Sequence, residues 1–98
     1  MDVRFEDDRF DKLETDLTYT AGFAPAIESA FRKRMQQIRA AVDERDLRNV
    51  KSLRFEKLKG TRQHQHSMRL NDQYRLIVEL EGRSSCKVVA IIGIEDYH

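Results

Sequence analysis

Cysteine, proline and glycine are scarce in this 98-residue chain, and each scarcity removes a class of explanation. The one cysteine, Cys86, permits no internal disulfide and, lacking a second thiol, no thiolate metal cluster. Four glycines, none followed by Lys-Ser or Lys-Thr, leave Gly60-Thr61 without the makings of a phosphate-binding loop. Ser67, Ser84 and Ser85 stand outside any nucleophile-elbow pattern. No run approaches the roughly 18 to 20 apolar residues of a membrane span, and Met1-Asp2-Val3-Arg4 is not read as a signal peptide. The expectation is a soluble, cytoplasmic chain of one domain, residues 1–98, with no membrane partner, no metal and no cofactor.

Charge, by contrast, is plentiful: 36% of residues are charged, yet the formal net charge is only +1. The near-neutral sum hides a segregation. Residues 1–18 carry seven acids against three bases, whereas residues 32–75 carry thirteen Lys and Arg against five acids, an excess of eight. Such a basic middle suggests a local phosphate-facing patch, although charge runs on helices are commonly solvated faces.

Periodicity divides the chain into helices first and strands second. Val3-Arg4-Phe5 alternates and predicts a short edge strand. Phe10, Leu13 and Leu17 fall at helical spacing, predicting a helix from Asp7 to about Thr18 with Asp7, Asp8 and Asp11 near its positive end. The lone proline, Pro25, suits the first turn of a second, longer helix whose stripe runs Ile27, Phe31, Met35, Ile38 and Val42. Asp43-Glu44-Arg45-Asp46 predicts a polar turn and Leu47-Arg48-Asn49-Val50 a short third helix. The period then changes to two: Leu53-Arg54-Phe55-Glu56 alternates as a strand would, and a polar loop follows with Arg62, His64 and His66. His66–Leu70, the turn Asn71-Asp72 and Gln73–Leu80 predict a hairpin, Glu81-Gly82 another turn, and Cys86–Ile94 a last strand. The class is therefore α+β, N-terminal helices packed on one face of a small, mostly antiparallel sheet. His64-Gln65-His66 is a weak metal pair, since no third ligand stands near, and a solvated polar loop is the preferred reading.

The apolar, β-branched run Val88–Ile94 predicts a strand buried on both faces, and it leads without a spacer into Glu95-Asp96-Tyr97-His98. That tail is an acid, a phenol and an imidazole tethered to a rigid base. Beside it stand Lys57 and Lys59, and Arg69 and Arg75 on either side of the hairpin turn; whether the two arginines share a face depends on register. Cations there clamp a phosphate while Asp96 or His98 moves a proton, and the common reaction this kit runs without a metal is cleavage of RNA through its own 2′-hydroxyl.

Leu58-Lys59-Gly60, then Ser67-Met68-Arg69-Leu70-Asn71-Asp72-Gln73-Tyr74-Arg75-Leu76, then Glu95-Asp96-Tyr97-His98 together resemble the HigB branch of the RelE/ParE toxin superfamily. The resemblance implies a RelE-like toxin fold and the toxin half of a type II toxin-antitoxin pair: a ribosome-dependent endonuclease of mRNA, silenced by a cognate helix-turn-helix antitoxin and meeting DNA only through that complex. It also implies that Arg75 is the active-site arginine, that Lys59 is a basic residue near the substrate, and that Asp96, Tyr97 and His98 form the C-terminal catalytic set; Lys57, Arg62 and Arg69 are read from their charge as further RNA-binding candidates. Where relatives often carry His, this chain has Glu56, a carboxylate that serves as a base or orients His98 rather than donating a proton. Two alternatives remain: a toxin-fold protein that binds a protein target, like the gyrase-poisoning relatives, and a binding module whose basic middle only confers solubility.

Overall fold

The computed structural model describes residues 1–82 and 88–96; Ser84, Ser85, Cys86, Tyr97 and His98 lie outside the described residues. Three helices, α1 (Asp8–Thr15), α2 (Pro25–Ala40) and α3 (Glu44–Asn49), pack on one face of a five-stranded sheet. Its strands are β1 (Asp2–Phe5), β2 (Glu56–Lys57), β3 (Gln65–Arg69), β4 (Tyr74–Glu81) and β5 (Val88–Asp96), in the order β1-β5-β4-β3-β2. The pairing is antiparallel except that β1 runs parallel to β5 at the edge. This is the α+β architecture with helices on one face that the pattern predicts.

Helices α1 and α2 start where the sequence signals and stop sooner, whereas α3 starts earlier than expected, at Glu44, because Asp43 caps it by accepting from the Arg45 N–H. Asp7 caps α1, its carboxylate accepting from the Arg9 N–H at 2.9 Å, with Asp8 and Asp11 in the first turn. Phe10 and Leu13 are buried, but Leu17 is 79% exposed. The reason is local: the Asp16 carboxylate accepts from both the backbone N–H and the hydroxyl of Thr18, an Asx turn that competes with another helical turn. In α2, Pro25 occupies the first turn and Ile27, Phe31, Met35 and Ile38 are buried, whereas Val42 lies beyond the helix end and is 80% exposed. The Met1 amino group donates to the carbonyls of Ile38, Arg39 and Ala41 there, where the last carbonyls and the negative helix end attract a cation.

Leu53-Arg54-Phe55-Glu56 is not the strand that its alternation predicts. Lys51–Leu53 is a 3-10 turn, Arg54 is left-handed (φ 47°, ψ 54°), and pairing begins only at Glu56. Leu53 and Phe55 are both buried in the core, so their alternation records burial on either side of a turn. The hairpin is as read, with strands shifted by a residue or so. In β5 the fully buried stretch is Val89–Ile91, with β1 on one side and β4 on the other. Beyond it the strand runs past Ile94 to Asp96, carrying Glu95 into register opposite Arg75.

Alternation assigns the sheet's two faces. Met68, Leu70, Leu76, Val78, Val89 and Ile91 join the helices in the core. The opposite face presents Ser67, Arg69, Arg75, Ile77 and Glu79, and the two clefts described next open on it.

Candidate functional site

Two clefts meet at Arg75. One, about 510 Å³, is lined by Lys51, Ser52, Arg54, Arg69, Asn71, Asp72 and Arg75. The other, about 230 Å³, is lined by Leu58, Arg62, Ser67, Arg75, Ile77, Glu95 and Asp96.

The hairpin turn builds this junction. The Asn71 side-chain oxygen accepts from the N–H groups of Gln73 and Tyr74 at 2.8 and 2.7 Å, which fixes the turn and pairs Arg69 directly with Arg75. The two arginines therefore share a face. Like charges directly opposite are destabilising, and the fold compensates on each side. Asp72 forms an ion pair with Arg69. The Arg75 guanidinium, on a residue only 6% exposed, donates from Nη2 to the Arg54 carbonyl at 2.7 Å and lies 3.8 Å from the Glu56 carboxylate. Among the described residues Arg54 is the one non-glycine with positive φ, and its left-handed turn brings that carbonyl to Arg75.

The other predicted site residues divide. Glu56 joins Arg75 from β2, its side chain 57% exposed. Lys57, next along β2 and in register with His66, belongs to the opposite face of the strand and is not brought to Arg75. Lys59, exposed, precedes the 3-10 turn Gly60–Arg62. Arg62 lines the smaller cleft and is held across it by Glu95 in a two-pronged pair at 2.9 and 2.6 Å, with Nε donating to Gln65 at 3.0 Å. The Glu95 carboxylate raises the guanidinium's pKa above its ordinary value. Asp96 lines the same cleft and accepts from the Gln73 side-chain amide at 3.2 Å. Tyr97 and His98 are outside the described residues.

The two histidines are not a loop pair. His66 is a buried residue of β3, stacked on Phe55 with ring centroids 4.8 Å apart, while His64 is exposed with Nε2 3.8 Å from Glu79. An aromatic neighbour 11 residues away in sequence, invisible to local pattern, draws His66 inward.

Sequence reasoning missed Lys51, Ser52 and Arg54, which wall the larger cleft, and Arg34, whose Nε donates to the Arg69 carbonyl at 2.8 Å from α2. The excess of basic residues in 32–75 was the available signal, but it assigns no positions.

The family described as RelE-like toxin of type II toxin-antitoxin system HigB matches residues 3–92. The chain belongs to this family. The matched span takes in Arg54, Glu56, Arg62, Arg69 and Arg75 and stops short of Glu95. As a RelE-like toxin of a type II system, the chain has an antitoxin as its implied partner. Among solved structures it is similar to a YoeB/ParE toxin from Agrobacterium tumefaciens, with 17% identity, TM-score 0.54 and all of both chains covered, a likeness of fold. No curated protein matches it in sequence. No helix among the described residues of this HigB-like toxin is long and apolar enough to cross a membrane.

Proposed function

We propose that this HigB-like toxin is a single-domain, cytoplasmic endoribonuclease that cuts mRNA on the ribosome and is silenced by a helix-turn-helix antitoxin, reaching DNA only through that complex. The observation that carries the reading is Arg75: a nearly buried guanidinium, fixed by the Arg54 carbonyl, beside the Glu56 carboxylate and at the junction of two clefts. In the reaction, Glu56 takes the proton of a ribose 2′-hydroxyl and the 2′-oxygen attacks the adjacent phosphorus. Arg75 offsets the charge that builds on the non-bridging oxygens, a role suited to a donor fixed before the reaction. The bond to the 5′-oxygen breaks, and that oxygen takes a proton from the C-terminal set, for which His98 is the candidate donor with Asp96 and Tyr97 orienting it. The products are a 2′,3′-cyclic phosphate and a 5′-hydroxyl.

Arg69 and Lys59 hold the strand by its backbone, and Arg62 joins them by exchanging Glu95 for a phosphate; Lys57, on the other face of β2, takes no part. Both members of that pair are well exposed, and exposed pairs contribute roughly 0–1 kcal/mol, so the exchange is accessible. Mapping mRNA ends after induction tests the reading. Cuts within translated codons, lost in Arg75→Ala, support it; growth arrest with intact mRNA and a DNA-damage response contradicts it and favours a protein target.

A further inference from the structure

We propose that the larger cleft, on the hairpin side of Arg75, is an anion site that holds a backbone phosphate of single-stranded RNA, with Lys51 and Arg54 as its two unassigned ligands. The inference rests on the ribonuclease reading for the identity of the anion, and on the cleft alone for the existence of the site.

Charge is the first argument. Lys51, Arg54, Arg69 and Arg75 line the cleft against one carboxylate among the described lining residues, Asp72. Behind it, Arg34 bonds the Arg69 carbonyl, and burial first, then the charge of Arg69, hold the Arg34 guanidinium below the ordinary arginine value. Packing like charges this closely works against the fold, and such local conflicts gather at functional sites. A phosphodiester resolves the conflict, because a guanidinium fork matches two phosphate oxygens.

Backbone conformation is the second, independent argument. Arg54 occupies the left-handed region, which glycine adopts without penalty and most side chains avoid. Glycine would present the same carbonyl to Arg75, so the bond to Arg75 does not explain the arginine. Arg54 is instead an exposed residue among those that line the cleft.

Asp72 is the third. Its side chain is 97% exposed, so it is not held there by burial, yet it pairs with Arg69 at the cleft's edge. It stands where a phosphate oxygen would stand, an internal competitor that an incoming anion displaces.

The test uses the full chain and a short 2′-O-methyl RNA, which lacks the attacking hydroxyl and stays intact, with binding read by fluorescence anisotropy across a salt series. Lys51→Ala and Arg54→Gly should each weaken binding roughly 3- to 10-fold and lower the slope of log K against log salt by about 0.7. Asp72→Asn should tighten it. Arg54→Gly keeps the backbone suited to its left-handed turn, and Lys51 is exposed, so thermal melts should show both variants folded. Unchanged affinity and slope in both variants overturn the site. An acidic peptide of equal charge that binds through Lys51 and Arg54 while RNA does not also overturns it, assigning the cleft to a protein. The two readings fail separately: RNA binding through these residues by a protein that never cuts mRNA keeps the site and removes the nuclease. Cleavage with unaltered binding in the variants does the reverse.

Discussion

Replacing Arg75 by alanine separates what this residue does for the fold from what it does for the reaction. The lost bond to the Arg54 carbonyl leaves a part-buried acceptor, a cost of about 1–3 kcal/mol, toward the low end because clefts on both sides admit water. Losing the 3.8 Å approach to Glu56, which is well exposed, adds under about 1 kcal/mol. Removing the like-charge pairing with Arg69 returns roughly 0.2–1 kcal/mol. The net loss is about 1 kcal/mol, or about 4–8 °C in melting temperature for a domain of this size. The catalytic loss is larger, because one preorganised donor to a developing oxyanion is worth about 100- to 1000-fold in rate. Thermal melting paired with single-turnover cleavage of ribosome-bound mRNA, below both melting points, reads the two separately. Arg75→Lys should fall between, since an ammonium keeps the charge and loses the fork. Cleavage by Arg75→Ala within about threefold of wild type would refute this role, since it implies less than about 1 kcal/mol of transition-state stabilisation.

Glu56→Gln should leave the melting temperature nearly unchanged while slowing cleavage about 100-fold or more, as expected for loss of a general base; a small rate effect would move the base elsewhere. Deleting His98 should abolish cleavage without loss of antitoxin binding, checked by co-purification and RNA end mapping, and a fully active deletion would make the tail dispensable. Asp7 titrates below the usual carboxylate range, chiefly through the Arg9 side chain and then the Arg9 N–H. A depressed folded pKa contributes stability in full above the unfolded value near 3.9, lost as pH falls through the folded one. Melting of Asp7→Ala should therefore trail wild type at pH 7 and converge with it in strong acid; a gap independent of pH would assign the effect to something other than the charge.

The features legible in the sequence were those that local chemistry decides. Asp7 and Pro25 mark helix starts because a cap and a fixed φ act within one turn, and Asn71 marks the hairpin for the same reason. Leu17 and Val42 continued the apolar spacing without being buried, since spacing does not say where Asp16 or the end of α2 stops a helix. Leu53-Arg54-Phe55 misled because two buried residues around a left-handed turn give the same alternation as a strand. The arginines of the hairpin were identifiable, but their shared face needed the register. Arg62 with Glu95, 33 residues apart, and Arg34 with Arg69, 35 apart, are contacts that only the assembled sheet and helix create. The left-handed Arg54 has no local signature at all, because the sequence offers no glycine or asparagine there to announce it.

The central claim is that the RNA supplies its own nucleophile while Glu56, Arg75 and the C-terminal groups move protons and balance charge. Characterising the termini of mRNA cut on purified ribosomes tests it most directly. A 2′,3′-cyclic phosphate on one fragment and a 5′-hydroxyl on the other, formed also in excess chelator with just enough magnesium to keep ribosomes assembled, is the predicted result. A 5′-phosphate product, or cleavage that stops when metal is withdrawn from intact ribosomes, would show that water attacked and would contradict the account.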